Sequence, residues 1–332
     1  MVDAVAPMQP VLNTTDRVIV ISLMKSGTHL IQELMVALGY GMYGQSRITS
    51  EIRPNFTSEA RRKIARMVYD DDHLAIIEAL ENNDPRFIAE TDRAWDALGW
   101  SWQLRFGMPL ANRYGEALVN ADLVTTALRR TRELNFSQTP SGICWILPEF
   151  DIKKIDGRFL AEWATTGEPR IIFNYRDPRD MIVSMVNFLC GKTANGIGNF
   201  SEFLAFSKIL KATPSLEGQL TYALTDPSFP GSGDLERSLW LLHHPDVCKV
   251  SFEELVGERG GGSQERQQAA KNRIARFLNA NEAAADAREL FREDSFSFYA
   301  GQIGSWRQVF TKKHEGLFAE RFGSMLSAYG YA

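Results

Sequence analysis

The sequence predicts an α/β fold: a central, mainly parallel sheet flanked by helices, with a P-loop-like anion-binding turn and a large helical insertion. Three observations carry that prediction. Residues 17–40, RVIVISLMKSGTHLIQELMVALGY, pass from an apolar strand through a tight polar turn into an amphipathic helix. Residues 170–190, RIIFNYRDPRDMIVSMVNFLC, repeat the same succession. Strand and helix patterns then alternate along the chain, which builds a parallel sheet with helices on both faces.

In the first unit, Val18 to Leu23 is an apolar run broken only by Ser22, as in a strand buried on both faces. Ile31, Leu34, Met35 and Leu38 mark the apolar face of the following helix, and Gly39 stands where a helix end favours positive φ. Between them lies Met24-Lys25-Ser26-Gly27-Thr28-His29. Such a turn directs backbone N–H groups outward at the positive end of a helix dipole, which suits an anion. Lys25 adds a full charge, and Ser26, Thr28 and His29 add side-chain donors. The turn is no Walker A loop, because Lys25 precedes Gly27 and no glycine lies upstream in the strand.

In the second unit, Asp177 occupies an N-cap position and Pro178 the first helical turn. Met181, Ile182, Met185, Val186 and Leu189 form one apolar stripe. Arg176 sits at the strand exit, where a planar guanidinium suits a phosphate, and Ser184 follows about two helical turns later as a further donor. In a doubly wound sheet the ligand lies outside the carboxyl ends of the strands, where Lys25 and Arg176 both fall.

Residues 1–16 read as a flexible leader, and 17–332 as a single domain. Residues 57–134 are charged and helical in pattern and form the insertion. Within it Trp95, Trp100, Trp102, Phe106 and Met108 serve either as the insertion's own core or as an apolar pocket for a substrate. Residues 191–234 contain two turn-rich stretches, GKTANGIGN and TDPSFPGSGD, around a helical run and read as a lid-like segment. A glycine-rich loop at 257–263 precedes a final helix pair.

With 332 residues, 44% hydrophobic, and a net charge of −4, the chain is long enough for one large domain and is not a nucleic-acid-coating protein. The three cysteines, Cys144, Cys190 and Cys248, lie in or beside apolar segments and read as buried free thiols of a reducing compartment. The N-terminal residues carry no signal-peptide pattern, and no apolar run reaches eighteen residues, so a cytoplasmic protein without a membrane partner is expected. No Cys/His or carboxylate cluster has metal-ligand spacing.

Taken in order, the Lys-Ser-Gly-Thr turn, Arg176-Asp-Pro-Arg-Asp with Ser184, Val250-Ser-Phe-Glu-Glu-Leu255 and Gly301-Gln-Ile-Gly-Ser-Trp-Arg307 resemble the PAPS-dependent sulfotransferase family. The resemblance spans nearly the whole chain. It implies PAPS (3′-phosphoadenosine 5′-phosphosulfate) as co-substrate, no metal, and a hydroxyl of a small molecule as acceptor. It places the 5′-phosphosulfate on Lys25, Ser26, Gly27, Thr28 and His29, the 3′-phosphate on Arg176 and Ser184, and the adenine near Phe252 and the Gly301 loop. The family's short C-terminal dimerisation signature is matched only in part, so no oligomeric state is predicted.

The chain also departs from the family. Met24 replaces a proline, and His29-Leu30 replaces Thr-Trp, removing an aromatic surface for adenine. Phe252 stands where a tyrosine is frequent, and Tyr299-Ala300 replaces the Arg-Lys pair before Gly301. Arg307, Arg292 and Lys312 are candidates to compensate. The segment 135–150, where many members place a basic histidine, contains none; Glu149 and His29 are both candidates for the general base. His73, His243 and His244 fit structural roles better. Two other functions stay in view: a catalytically silent nucleotide-binding protein on this fold, and an ATP-dependent small-molecule kinase, which would need the missing Walker pattern.

Overall fold

A computed structural model of the chain describes residues 17–43, 54–108, 120–191, 201–291 and 301–331. The expected leader, Arg292 and the Tyr299-Ala300 pair lie outside the described residues. The described helices and strands, in chain order, are β1 (Arg17–Ser22), α1 (Thr28–Ala37), β2 (Gly41–Tyr43), α2 (Ser58–Val68), α3 (Asp71–Glu78), α4 (Pro85–Arg105), α5 (Ala121–Thr131), β3 (Ile143–Leu147), α6 (Gly157–Thr166), β4 (Arg170–Tyr175), α7 (Pro178–Leu189), α8 (Ser201–Ala212), α9 (Leu216–Thr225), α10 (Asp234–Ser238), α11 (Trp240–His243), β5 (Val247–Ser251), α12 (Phe252–Leu255), α13 (Gln264–Phe277) and α14 (Lys312–Ala328).

The five strands pair in the order β2-β3-β1-β4-β5, every pair parallel. Central β1 registers Val18 against Cys144 of β3 and against Arg170 of β4. Side chains alternate across the sheet. Val18 and Val20 pack with Ile31, Leu34 and Met35 of α1, while Ile19 and Ile21 join the other core with Met181, Met185 and Val186 of α7. Covering both faces is what permits an uninterrupted apolar strand. Because α1 and α7 leave adjacent strands β1 and β4 toward opposite faces, the crevice between those two strand ends is the topological switch point.

Local signals fold as read at several points. Asp177 caps α7 by accepting the Arg179 N–H at 2.9 Å, and Pro178 occupies the first helical turn. Gly39 takes φ +90° just beyond α1. Other expectations need correction. A short strand, β2, precedes the helical segment; its Tyr43 packs on Trp145 at 4.6 Å and on Trp95 at 5.0 Å. Of the two readings left open for Trp95, Trp100, Trp102, Phe106 and Met108, the core one holds: all five are buried, and they join the sheet's main core. The described part of the lid-like segment is mostly helical: α8 and α9 pack against α7, and α9 also meets α14. Cys144 and Cys248 are buried, but Cys190 is half-exposed, its thiol donating to Gln219 Oε1 at 3.3 Å.

Candidate functional site

The turn after β1 is held from below. Asn174 of β4, fully buried, sends its amide to Ser22 Oγ (2.9 Å), Ser26 Oγ (3.1 Å) and the Ser26 carbonyl (3.1 Å). Ser22 Oγ also lies 2.8 Å from Thr28 Oγ1. Ser26 is inward-facing: its hydroxyl donates to Leu23 O at 2.6 Å and its backbone N–H to the same carbonyl at 3.0 Å. The expected role of Ser26 as a ligand donor is therefore corrected to one of shaping the turn. On either side of it, Lys25 (φ +67°) and Gly27 (φ +86°) adopt left-handed backbone. For Lys25 this conformation costs about 1–2 kcal/mol. It is sustained by the fixed network beneath.

Gly27 is the N-cap of α1 and carries no side-chain cap, and the first turn of α1 holds no acidic residue. The N–H groups of Gly27 and Thr28 thus stand at a dipole end whose positive charge is not cancelled from within the helix. His29 lies in the same turn, half-buried. A Cβ on Gly27 would come within 2.6 Å of Phe252 Cδ2, so glycine is required both for φ and for this contact.

Phe252 is only 3% exposed. Its ring carries the Arg176 guanidinium on one face, 4.0 Å from the centroid. That leaves no open face for a purine, and the expected adenine stacking on Phe252 is corrected accordingly: the ring is a wedge joining the Lys25 turn, Arg176 and α12. Arg176, itself buried, donates from Nη2 to Gln302 O at 2.7 Å and from Nη1 to Lys25 O at 3.4 Å. Its Nε is buried with no hydrogen-bond partner. Ser184 is half-exposed, whereas every other residue of α7 is buried. The surface opening over α7 therefore falls at Ser184.

Lys25 and Arg176 are thus brought to adjacent strand ends. Burial of the Lys25 ammonium, reinforced by the charge of Arg176, lowers its pKa from the ordinary 10.5 to about 7. Its Nζ lies over the Phe188 ring, 4.3 Å from the centroid. Burial likewise lowers the Arg176 pKa, opposed by the carboxylates of Asp180, Glu253 and Asp177. Two cations held together in this way at a switch point favour a multiply charged anion.

Gly301 (φ +59°) opens the C-terminal loop. That loop docks on the 257–262 glycine turn through Ile303 N–H to Gly260 O at 3.0 Å. Asp180, which sequence reasoning gave no role, is fully buried and accepts from Gly304 N (2.7 Å), Ser305 Oγ (2.8 Å) and Trp306 N (3.0 Å). Trp306 is sandwiched between Arg179 (4.1 Å) and Arg307 (4.8 Å). The only hint in the sequence was an acid in the first turn of α7.

Glu149 follows β3, at the carboxyl end of the strand beside β1, and binds Arg237 Nε through Oε2 at 2.6 Å. Arg237 also bonds Asp234 at 2.6 Å. The 226–233 turn that leads into α10 approaches the Lys25 turn, a Cβ on Gly231 lying 3.9 Å from Met24 Cβ. His73 is an exposed partner of Asp70, and His244 stacks on Trp163 at 4.5 Å. Among the described residues no group of three or more His, Cys, Asp or Glu is arranged to hold a metal, and no helix is long and apolar enough to cross a membrane.

No family model matches the chain, and no curated protein matches it. Among solved structures, that of mouse sulfotransferase SULT7A1 complexed with PAP aligns over 96% of this chain and 90% of its own, with 13% identity and a TM-score of 0.49. A likeness that remote adds no argument about function.

Proposed function

We propose that the chain is a sulfotransferase that takes the sulfuryl group from PAPS and passes it to a hydroxyl of a small-molecule acceptor. The observation that carries this reading is the juxtaposition of Lys25 and Arg176 at the β1/β4 switch point, where a half-buried ammonium and a buried guanidinium oppose one another. A nucleotide carrying anionic groups at both its 3′ and 5′ positions relieves that opposition from both sides. The uncapped α1 N-terminus, the partnerless Arg176 Nε and the half-exposed Ser184 supply donors for it.

The donor contributes an activated sulfuryl group, transferred in line as the acceptor oxygen–sulfur bond forms and the sulfur–phosphate oxygen bond breaks. Lys25 and the amides of Gly27, Thr28 and His29 meet the charge left on the 5′-phosphate oxygen. Arg176 and Ser184 hold the 3′-phosphate and thereby orient the donor. The acceptor's proton goes to Glu149 or His29, a step worth roughly 10²- to 10⁴-fold when the base is well placed. Glu149 keeps Oε1 for this purpose while Arg237 fixes Oε2.

A thermal-shift titration with 3′,5′-ADP against ATP tests the reading. At about 100 times Kd a native-state ligand stabilises by about 2.7 kcal/mol, and 3′,5′-ADP is expected to shift the midpoint far more than ATP. Lys25→Ala abolishes transfer, and Arg176→Ala chiefly weakens donor affinity. A preference for ATP, or full activity in Lys25→Ala, overturns the assignment. The Glu149–Arg237 ion pair favours a second reading, a nucleotide binder without turnover. It predicts 3′,5′-ADP binding with no transfer to any hydroxyl acceptor.

A further inference from the structure

Asp180 takes no part in the proposed chemistry, yet it is a fully buried carboxylate that gathers three donors from one short loop. It sits one helical turn from Arg176, and Asp180 Oδ2 lies 3.6 Å from Arg176 Nη2. The same Nη2 donates to Gln302 O, two residues before Gly304. Asp180 and Arg176 therefore grip consecutive stretches of one loop, 302 and 304–306. An ionised group taking three charge-assisted bonds in a dry site is far stronger as a clip than a neutral one. Its position in the first turn of α7 adds dipole stabilisation for the charge. Residues 302 and 303 are also tied to the 257–262 turn, through Gln302 Nε2 to Arg259 O at 2.8 Å and Ile303 N–H to Gly260 O at 3.0 Å. At 304–305, however, the chain is left-handed at Gly304, no residue of Ser305–Gln308 is buried, and Asp180 is the tie to α7.

We infer that Asp180 is a positioning residue for 3′-phosphate recognition: by clamping the 304–306 backbone it fixes the loop against which the Arg176 guanidinium is oriented. The inference rests on the proposed assignment of Arg176 to the 3′-phosphate. Removing the carboxylate frees the loop, leaves Arg176 without its nearest counter-charge, and lets the guanidinium follow either Gln302 O or the ligand. The loss then falls chiefly on the 3′-phosphate, because the Lys25 turn is held from below by three Asn174 bonds and touches Arg176 only through the long 3.4 Å contact to Lys25 O.

The test compares wild type, Asp180→Asn and Ser305→Ala in binding 3′,5′-ADP and 5′-AMP, which differ only in the 3′-phosphate. Asp180→Asn is expected to reduce the preference for 3′,5′-ADP over 5′-AMP by about 10- to 100-fold, the worth of one bond to a charged group, with 5′-AMP affinity nearly unchanged. Ser305→Ala, which keeps the carboxylate and removes one donor, gives a smaller loss in the same direction. Hydrogen exchange of the ligand-free protein provides the separate readout: the Gly304 and Trp306 amides exchange faster in Asp180→Asn, while the Leu30 amide is unaltered. If wild type shows no preference for 3′,5′-ADP but those amides still accelerate, the proposed function fails and the clamp stands as loop anchoring. An unchanged preference in Asp180→Asn, or equal losses for 5′-AMP and 3′,5′-ADP, overturns the positioning role.

Discussion

Binding of 3′,5′-ADP should take up a proton at Lys25, and this makes the site testable without any acceptor. In the free protein the ammonium has a pKa of about 7, because it is buried and faces Arg176. A phosphate dianion beside it restores the charged form and returns the pKa toward the ordinary 10.5. The binding-competent ammonium is about nine-tenths present at pH 6, half present at pH 7 and lost as pH rises further. Between pH 7.5 and 9 the protonated fraction of the free protein falls from about one quarter to about one hundredth, so apparent affinity falls about 25-fold. The ligand's own phosphates titrate near pH 6 and hold their charge over this window. Isothermal titration calorimetry at pH 7.5, 8.2 and 9 measures the decline. At pH 8.2, two buffers of different ionisation enthalpy count close to one proton taken up. Lys25→Arg, whose guanidinium stays charged throughout, should show neither the decline nor the uptake. A flat affinity in wild type, or an identical decline in Lys25→Arg, refutes the argument that Lys25 is a depressed cation facing the ligand.

Gly27→Ala places a methyl 2.6 Å from Phe252 and forces positive φ on alanine, so urea unfolding should show a loss of about 2–4 kcal/mol, with donor affinity falling as well. Asn174→Ala removes three hydrogen bonds beneath the turn; about 1–3 kcal/mol of stability is lost in the same measurement, and 3′,5′-ADP affinity falls more than the stability loss alone explains. Gly99→Ala in α4 pits a gain of about 1 kcal/mol in helix propensity against a clash with the Tyr43 ring. The clash wins, because that ring is wedged between Trp95 and Trp145, and thermal melting should show net destabilisation.

Much of this architecture was legible in the sequence wherever one local rule sufficed. The apolar runs at 18–21 and 171–173 read as strands covered on both faces, and Asp177-Pro178 as a helix start, and both fold that way. Side-chain direction was not legible. The sequence offers Ser26 as a donor beside Lys25, but the orientation of its hydroxyl depends on Asn174, 148 residues away. Phe252 reads as an aromatic platform until Arg176 is seen to occupy its face. The Trp95–Met108 cluster presented the same ambiguity between pocket and core, and it was settled by burial against Trp145 and Phe136, which belong to another stretch of chain. Asp180 was missed because its partners lie more than a hundred residues downstream.

The Asn174 amide that ties Ser22 and Ser26 together has a kinetic corollary. A socket whose shape is set by the neighbouring strand needs no rearrangement when an anion arrives. Observed association rates should then climb linearly with ligand concentration, with no plateau, and selectivity between nucleotides should be expressed in how long each one stays.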